Sequence, residues 1–232
     1  MRTPFLLSLL FAVFWHFTVL AQPVDDNVMT NEDTPLNFSV TANDEHPNGI
    51  NVATVDLDVT APGRQSMIGL TDGTFSVDDF GNVTFTPTQN FHGLVTVDYS
   101  VEDNLGNSLG IATITVTVNS INDPPVANDD IINTPVNGIV NIPIIDNDFD
   151  IDGTLVLSTI DLDPTLIGNQ PIRITLQGTW TGAGGVVTFV PLLNITGVAS
   201  TTSTTEDTAG AKPNYATITV IVNATPVANP DA

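Results

Sequence analysis

Val95, Val97, Tyr99 and Val101 alternate with Thr96, Asp98 and Ser100, and Ile114, Val116 and Val118 alternate with Thr113, Thr115 and Thr117. A period of two with β-branched residues on both faces predicts half-buried strands, because successive side chains of a strand point to opposite sides of its sheet. Between the two runs, Asp103-Asn104-Leu105-Gly106-Asn107 is turn chemistry, so the pair reads as a hairpin. Further strands are predicted at Leu36 to Val40, at Val52 to Val59, and at Thr74 to Val77, the last turned by Asp78-Asp79-Phe80-Gly81-Asn82 into Val83 to Thr86. No stretch sustains a helical period.

The pattern occurs twice. Val83-Thr84-Phe85-Thr86-Pro87 returns as Val187-Thr188-Phe189-Val190-Pro191, and the same displacement carries Asp25-Asp26 onto Asp129-Asp130, Asn43-Asp44 onto Asn147-Asp148 and Glu102-Asp103 onto Glu206-Asp207. Gly73-Thr74-Phe75 meets Gly178-Thr179-Trp180 after one inserted residue that is later removed. Such changes belong in loops, since a one-residue slip inside a strand would turn its core face outward. A period of roughly one hundred residues is too long for a solenoid unit and matches one small domain.

About seven short strands with polar turns in that length predict an all-β chain of tandem Greek-key β-sandwich domains, antiparallel and cadherin-like or immunoglobulin-like. The chain accordingly divides into a first repeat over residues 22–121 and a second over 122–224. Residues 225–232 read as the start of a truncated third, because Pro226-Val227-Ala228-Asn229 repeats Pro125-Val126-Ala127-Asn128.

Residues 1–21 stand apart from this pattern. Arg2 precedes an apolar run from Phe5 to Ala21, which reads as a secretory signal peptide and falls short of the ~20 residues that span a bilayer. No later segment is apolar enough to cross, so the expectation is a secreted or cell-surface chain. It has no cysteine, so each repeat must be held by its core or by metal.

Charge narrows the partners. There are 26 acidic residues against 4 basic ones, a formal net charge of −22, and Arg2 lies in the leader. Such a surface repels phosphate, which disfavours nucleic acid and anionic lipid, and it attracts divalent cations. The acids also fall in turns. In the second repeat Asp129 and Asp130, the stretch Asp146 to Asp152, and Glu206 and Asp207 are expected at one pole, and the preceding linker adds Asn122 and Asp123.

Asp148-Phe149-Asp150-Ile151-Asp152-Gly153 is the sharpest motif. Carboxylates at every second position before a glycine can converge on Ca²⁺, which takes about six to eight oxygens, and the glycine suits a tight turn. An EF-hand is rejected, because Thr159 stands where its last glutamate belongs and no flanking helices are readable. Solvated turn residues are the plainer alternative. Against it, carboxylates gathered at one pole repel one another unless a cation neutralises them or they hold protons. The equivalent loop of the first repeat, Asn43-Asp44-Glu45-His46-Pro47-Asn48-Gly49, lacks the triple aspartate.

The segments Asn31 to Pro35, Asn122 to Asp130, Asn147 to Gly153, Val83-Thr84-Phe85-Thr86-Pro87 and Val101 to Asn107 resemble the cadherin-like and CshA-type repeats of bacterial surface adhesins. The resemblance implies elongated stalks, calcium at domain junctions and a role in adhesion. By similarity to cadherin junctions, the ligands would be Glu32, Asn119, Asn122 and Asp123, then Asp148, Asp150 and Asp152. The loop Thr88 to Gly93 has no acid where cadherins contribute carboxylates, which implies one or two ions rather than three.

The expected function is therefore a secreted or cell-surface structural and adhesive array with a calcium-stiffened junction. Its expected partners are neighbouring repeats of the chain and other cell-surface proteins or glycans. The alternatives are a carbohydrate- or ligand-binding module, or a non-catalytic spacer of a larger secreted enzyme. Catalysis is not expected of these residues: beyond the leader the histidines are His46 and His92, there is no cysteine, and His-Glu-x-x-His does not occur.

Overall fold

The computed structural model describes residues 22–225. The leader expected at 1–21 and the third-repeat motif at 226–229 lie outside the described residues. The chain divides between Ile121 and Asn122 into two compact units, each built from one repeat.

The first unit has eight strands: β1 (Asp26–Asn31), β2 (Leu36–Ser39), β3 (Ile50–Asp56), β4 (Met67–Leu70), β5 (Gly73–Val77), β6 (Asn82–Pro87), β7 (Gly93–Asp103) and β8 (Ser108–Asn119). They form two sheets, β1-β8-β7-β3 and β2-β6-β5-β4. The expected hairpin is β7–β8, with Val95 opposite Val116 and Val97 opposite Ile114. Its turn is closed by Asp103, whose carboxylate accepts the N–H groups of Leu105 and Asn107 at 2.9 and 2.8 Å.

One pairing departs from the antiparallel expectation. β1 runs parallel to β8, with Asp26 beside Ile114 and Thr30 beside Val118. When the first and last strands of a domain are parallel neighbours, the chain enters at one pole and leaves at the other. Alternation alone reports which residues face the core and is blind to strand direction.

The core is the set that the alternation marked. Val95, Val97, Tyr99, Val101, Ile114, Val116 and Val118 are buried, and Phe75 stands opposite Phe85 with ring centroids 4.5 Å apart. Each such side chain contributes about 1.5–3 kcal/mol by leaving water. Gly73 permits the close packing, since a Cβ there would meet the Phe85 ring at 2.6 Å.

The second unit has β9 (Asp130–Pro135), β10 (Val140–Pro143), β11 (Ile172–Ile174), β12 (Gly178–Ala183), β13 (Val186–Pro191), β14 (Gly197–Ser203) and β15 (Ala216–Asn223). Its sheets are β14-β15-β9 and β10-β13-β12-β11, and β9 again runs parallel to β15. Trp180 is fully buried against Phe189, centroids 4.2 Å apart, in the place that Phe75 takes in the first unit.

No strand matches β3 here. A single 3-10 turn at Leu157–Thr159 and isolated bridges of Leu155 with Asp207 and Asp161 with Thr204 take its place. In both units a threonine hydroxyl stands in for a ladder partner. Thr54 Oγ1 accepts the Glu102 N–H at 2.9 Å, and Thr159 Oγ1 accepts the Glu206 N–H at 2.9 Å.

Candidate functional site

In the second unit the topology brings the entry to β9, the loop after β10 and the β14–β15 loop to one pole. Val126 and Phe149 exchange backbone hydrogen bonds of 2.8 and 3.1 Å, and Leu155 bridges Asp207. The acids expected there are present, but they sort into three groups with different surroundings.

Asp129, Asp130, Asp146 and Asp148 form the first. Asp148 Oδ1 accepts the Asn128 N–H at 2.7 Å, and Asp129 Oδ1 accepts the Thr217 N–H at 2.7 Å. Asp130 Oδ2 is buried and accepts no hydrogen bond. Burial, followed by the negative charges of Asp148, Asp129 and Asp146, pushes the Asp130 carboxyl up to about 7. Burial also raises Asp148.

Asp123, Asp150 and Asp152 form the second. The Asp123 N–H donates to Asp152 Oδ2 at 3.2 Å, and the Asp152 N–H donates to Asp150 Oδ1 at 3.3 Å. Asp150 Oδ2 is buried without a hydrogen bond. Gly153 has no positive φ, so the left-handed turn expected of it is not its role. It is needed for proximity, because a Cβ there would lie 2.5 Å from Asp150 Oδ2.

Glu206 and Asp207 form the third, and other partners engage them. Glu206 Oε1 lies 3.4 Å from Lys212 Nζ. Asp207 accepts the Asn122 amide at 2.7 Å and the Ala211 N–H at 2.8 Å, and these donors, the amide foremost, hold its carboxyl below the usual range. Asn122 thereby ties the linker to the β14–β15 loop.

Glu32 belongs to the opposite pole of the first unit, where it is 6% exposed. Its carboxylate accepts the Ile121 N–H and its own N–H donates to Asn119 O at 2.9 Å, so it braces the exit from β8. Val136 makes the equivalent backbone bond to Asn223 O at 2.8 Å without a carboxylate.

Among the described residues, no three histidine or carboxylate side chains are arranged to hold a metal ion. The carboxylate oxygens that the second unit nevertheless buries without a hydrogen bond include those of Asp130 and Asp150 at this pole. Such oxygens suit a hard cation, since a buried acceptor without a donor is otherwise costly.

Setting the repeats side by side shows residues that motif reading passed over. In the first unit Tyr99 Oη lies 3.0 Å from Val40 O and 3.3 Å from Asp44 Oδ2. The nearby phenol also favours the ionised Asp26, which partly offsets the burial that raises that carboxyl to about 6. The corresponding residue of the second unit is Ser203, buried but without the phenol. Aligning the repeats exposes this exchange; a search for acid spacing does not.

Both units match the family model described as bacterial Ig domain, over residues 20–119 and 122–223. The chain belongs to the bacterial Ig domain family. Among curated proteins nothing matches it. Among solved structures, these Ig repeats resemble Drosophila N-cadherin EC1-4 with a TM-score of 0.50 at 11% identity, covering 88% of this chain and 50% of that one. The chain thus spans about half the length of that cadherin fragment. The human desmocollin-1 ectodomain is also similar, with a TM-score of 0.37 at 12% identity, covering 89% of this chain and 40% of that one. The likeness to N-cadherin concerns the fold alone. Trp180, as a core residue of an Ig repeat, offers no platform for stacking a sugar.

Proposed function

We propose that this tandem Ig-like chain is a secreted or cell-surface structural and adhesive array in which Ca²⁺ orders the pole where the linker enters the second repeat. Ig-like and cadherin-like domains typically serve as non-catalytic structural modules and occur in extracellular arrays, and tandem copies suit neighbouring repeats as partners. Among the described residues no helix is long and apolar enough to cross a membrane.

The calcium reading is carried by the buried, donor-free oxygens of Asp130 and Asp150. Asp150, Asp152 and Asp123 would hold the ion, with Asp130 and Asp148 supplying further negative charge. Asp207, Glu206 and Glu32 already serve other partners and act as braces. When bound, the cation supplies charge neutralisation that lets these loops and the linker adopt one arrangement. At an extracellular-type affinity of ~0.1 mM and ~2 mM calcium, the linkage stabilises the repeat by about 1.8 kcal/mol.

Melting and small-angle scattering of the two-repeat chain, with calcium and with chelator, test this. Calcium should raise Tm and lengthen the maximum dimension, and a double Asp150→Asn, Asp152→Asn variant should lose the response. Identical melting and scattering in both conditions would sink the calcium account.

A further inference from the structure

One end of the second unit is apolar where the first unit is polar. It is the end away from the acids, where β9 and β15 finish side by side and the turns 136–139, 175–177 and 191–197 close. On the outer face of the β10-β13-β12-β11 sheet, Ile174 lies opposite Thr179 and Thr179 opposite Val190. Ile139 extends this row, since it precedes Val140, whose partner is Phe189. Leu176 and Leu192 stand in adjoining turns, tied by the Leu192 N–H donating to Gln177 O at 2.8 Å, and Leu193 follows. Ile174, Leu176 and Leu193 are 79%, 87% and 80% exposed, and the other three are exposed as well.

The backbone is bonded alike in the first unit, so the positions correspond. The Thr88 N–H donates to Asp72 O at 3.0 Å as that of Leu192 does to Gln177 O, and Gly69 and Thr86 flank Thr74 as Ile174 and Val190 flank Thr179. Asp33 Oδ1 accepts the Asn90 N–H at 2.9 Å as Asn137 Oδ1 accepts that of Asn194 at 2.7 Å. The side chains change as a set. Pro35, Gly69, Thr71, Thr86, Thr88 and Gln89 give way to Ile139, Ile174, Leu176, Val190, Leu192 and Leu193, and the acids Glu32, Asp33 and Asp72 give way to Val136, Asn137 and Gln177. In the first unit the Thr88 hydroxyl donates to Thr71 O and the Thr71 hydroxyl to Asp72 Oδ1, bonds that two leucines cannot make.

Folding does not require this exchange, because the first unit is built on the same frame without it. Scattered apolar residues on a surface need no explanation, but six adjoining ones do. We propose that this end of the second repeat is a self-association surface, on which a second copy of the chain sits across a two-fold axis.

Area and charge select a second copy. The six side chains expose on the order of 500–700 Å² per chain, close to the ~800 Å² per partner of a standard interface. Residues 136–139, 175–177 and 190–197 include no charged side chain, while the acids of the repeat lie at Asp129 to Asp152, Asp161, Asp163, Glu206 and Asp207. In a chain of net charge −22, a surface stripped of acids is where a like-charged copy approaches at least cost. A two-fold contact sets the same patch against itself and closes at a dimer. The modest area predicts a dissociation constant of ~10–100 µM.

Sedimentation equilibrium of the purified full chain, from about 1 to 500 µM, brackets that value. The wild type should pass from monomer to dimer. A variant given the first repeat's residues, Val190→Thr with Leu192→Thr and Leu193→Gln, should raise the dissociation constant at least ~30-fold, with Trp180 emission showing an intact repeat. Ile174→Asp, on another strand, should do the same by setting charge against charge. Leu94→Thr, which alters an exposed apolar residue of the first unit, should change nothing. Chelator should leave the dimer intact and added salt should not weaken it, which separates this surface from calcium at the other pole. A wild type that stays monomeric throughout overturns the proposal, whether or not a different protein binds it, and so does a dimer that survives both patch variants.

Discussion

Replacing Asp26 by Asn should stabilise the first repeat at neutral pH. Asp26 is 7% exposed and its Oδ2 has no hydrogen bond. Burial, with the charges of Asp44 and Asp25, raises it from 3.8 to about 6, against the opposing influence of Tyr99 and Asn43. A folded pKa above the unfolded one means that the protonated form favours folding. The stabilising contribution is complete below about 3.8 and is lost as pH rises through about 6.

Full ionisation therefore costs at most about 3 kcal/mol, and screening by water at this edge of the sandwich lowers the expected value to about 1–2 kcal/mol. For a domain of this size that is a Tm difference of roughly 5–15 °C. Asparagine removes the charge at nearly constant shape. The variant should melt higher than the wild type near pH 7.5, with the difference shrinking toward acid. Trp180 is the only tryptophan among the described residues, so its emission follows the second repeat, and far-UV circular dichroism in excess of it follows the first. An unchanged or lower Tm near pH 7.5, with the pH dependence intact, would refute the assignment of this cost to Asp26.

Two further outcomes follow from the packing. Trp180→Ala should cost about 3–5 kcal/mol by opening a cavity beside Phe189, seen as early loss of the second-repeat transition while the first is unaffected. Gly178→Ala should cost about 1–3 kcal/mol in thermal melts although it adds only a methyl group, because its Cβ would lie 2.3 Å from the Val190 carbonyl. A neutral result would mean that β12 and β13 can part at no cost.

The alternating valines of β7 and β8 and the duplicated Val-Thr-Phe-x-Pro determined by themselves that there are two β-domains and which residues fill their cores. Burial in a sheet obeys a period of two, and that period is written locally. Asp103 was legible as a turn residue for the same reason. The candidate site was legible only as far as proximity: loop order placed Asp123, Asp130, Asp150 and Asp152 at one pole.

Tertiary structure decided what each acid does there. Asp207 and Glu32 look like ligands in sequence, yet one is held by the Asn122 amide and the other by the Ile121 N–H. Asp130 and Asp150 keep buried oxygens without donors. The parallel pairing of first and last strands, and the meeting of Lys212 with Asp161 and Glu206, were likewise invisible in sequence. A carboxylate's chemistry is set by its donors, neighbouring charges and access to water, and residues far apart in the chain supply these.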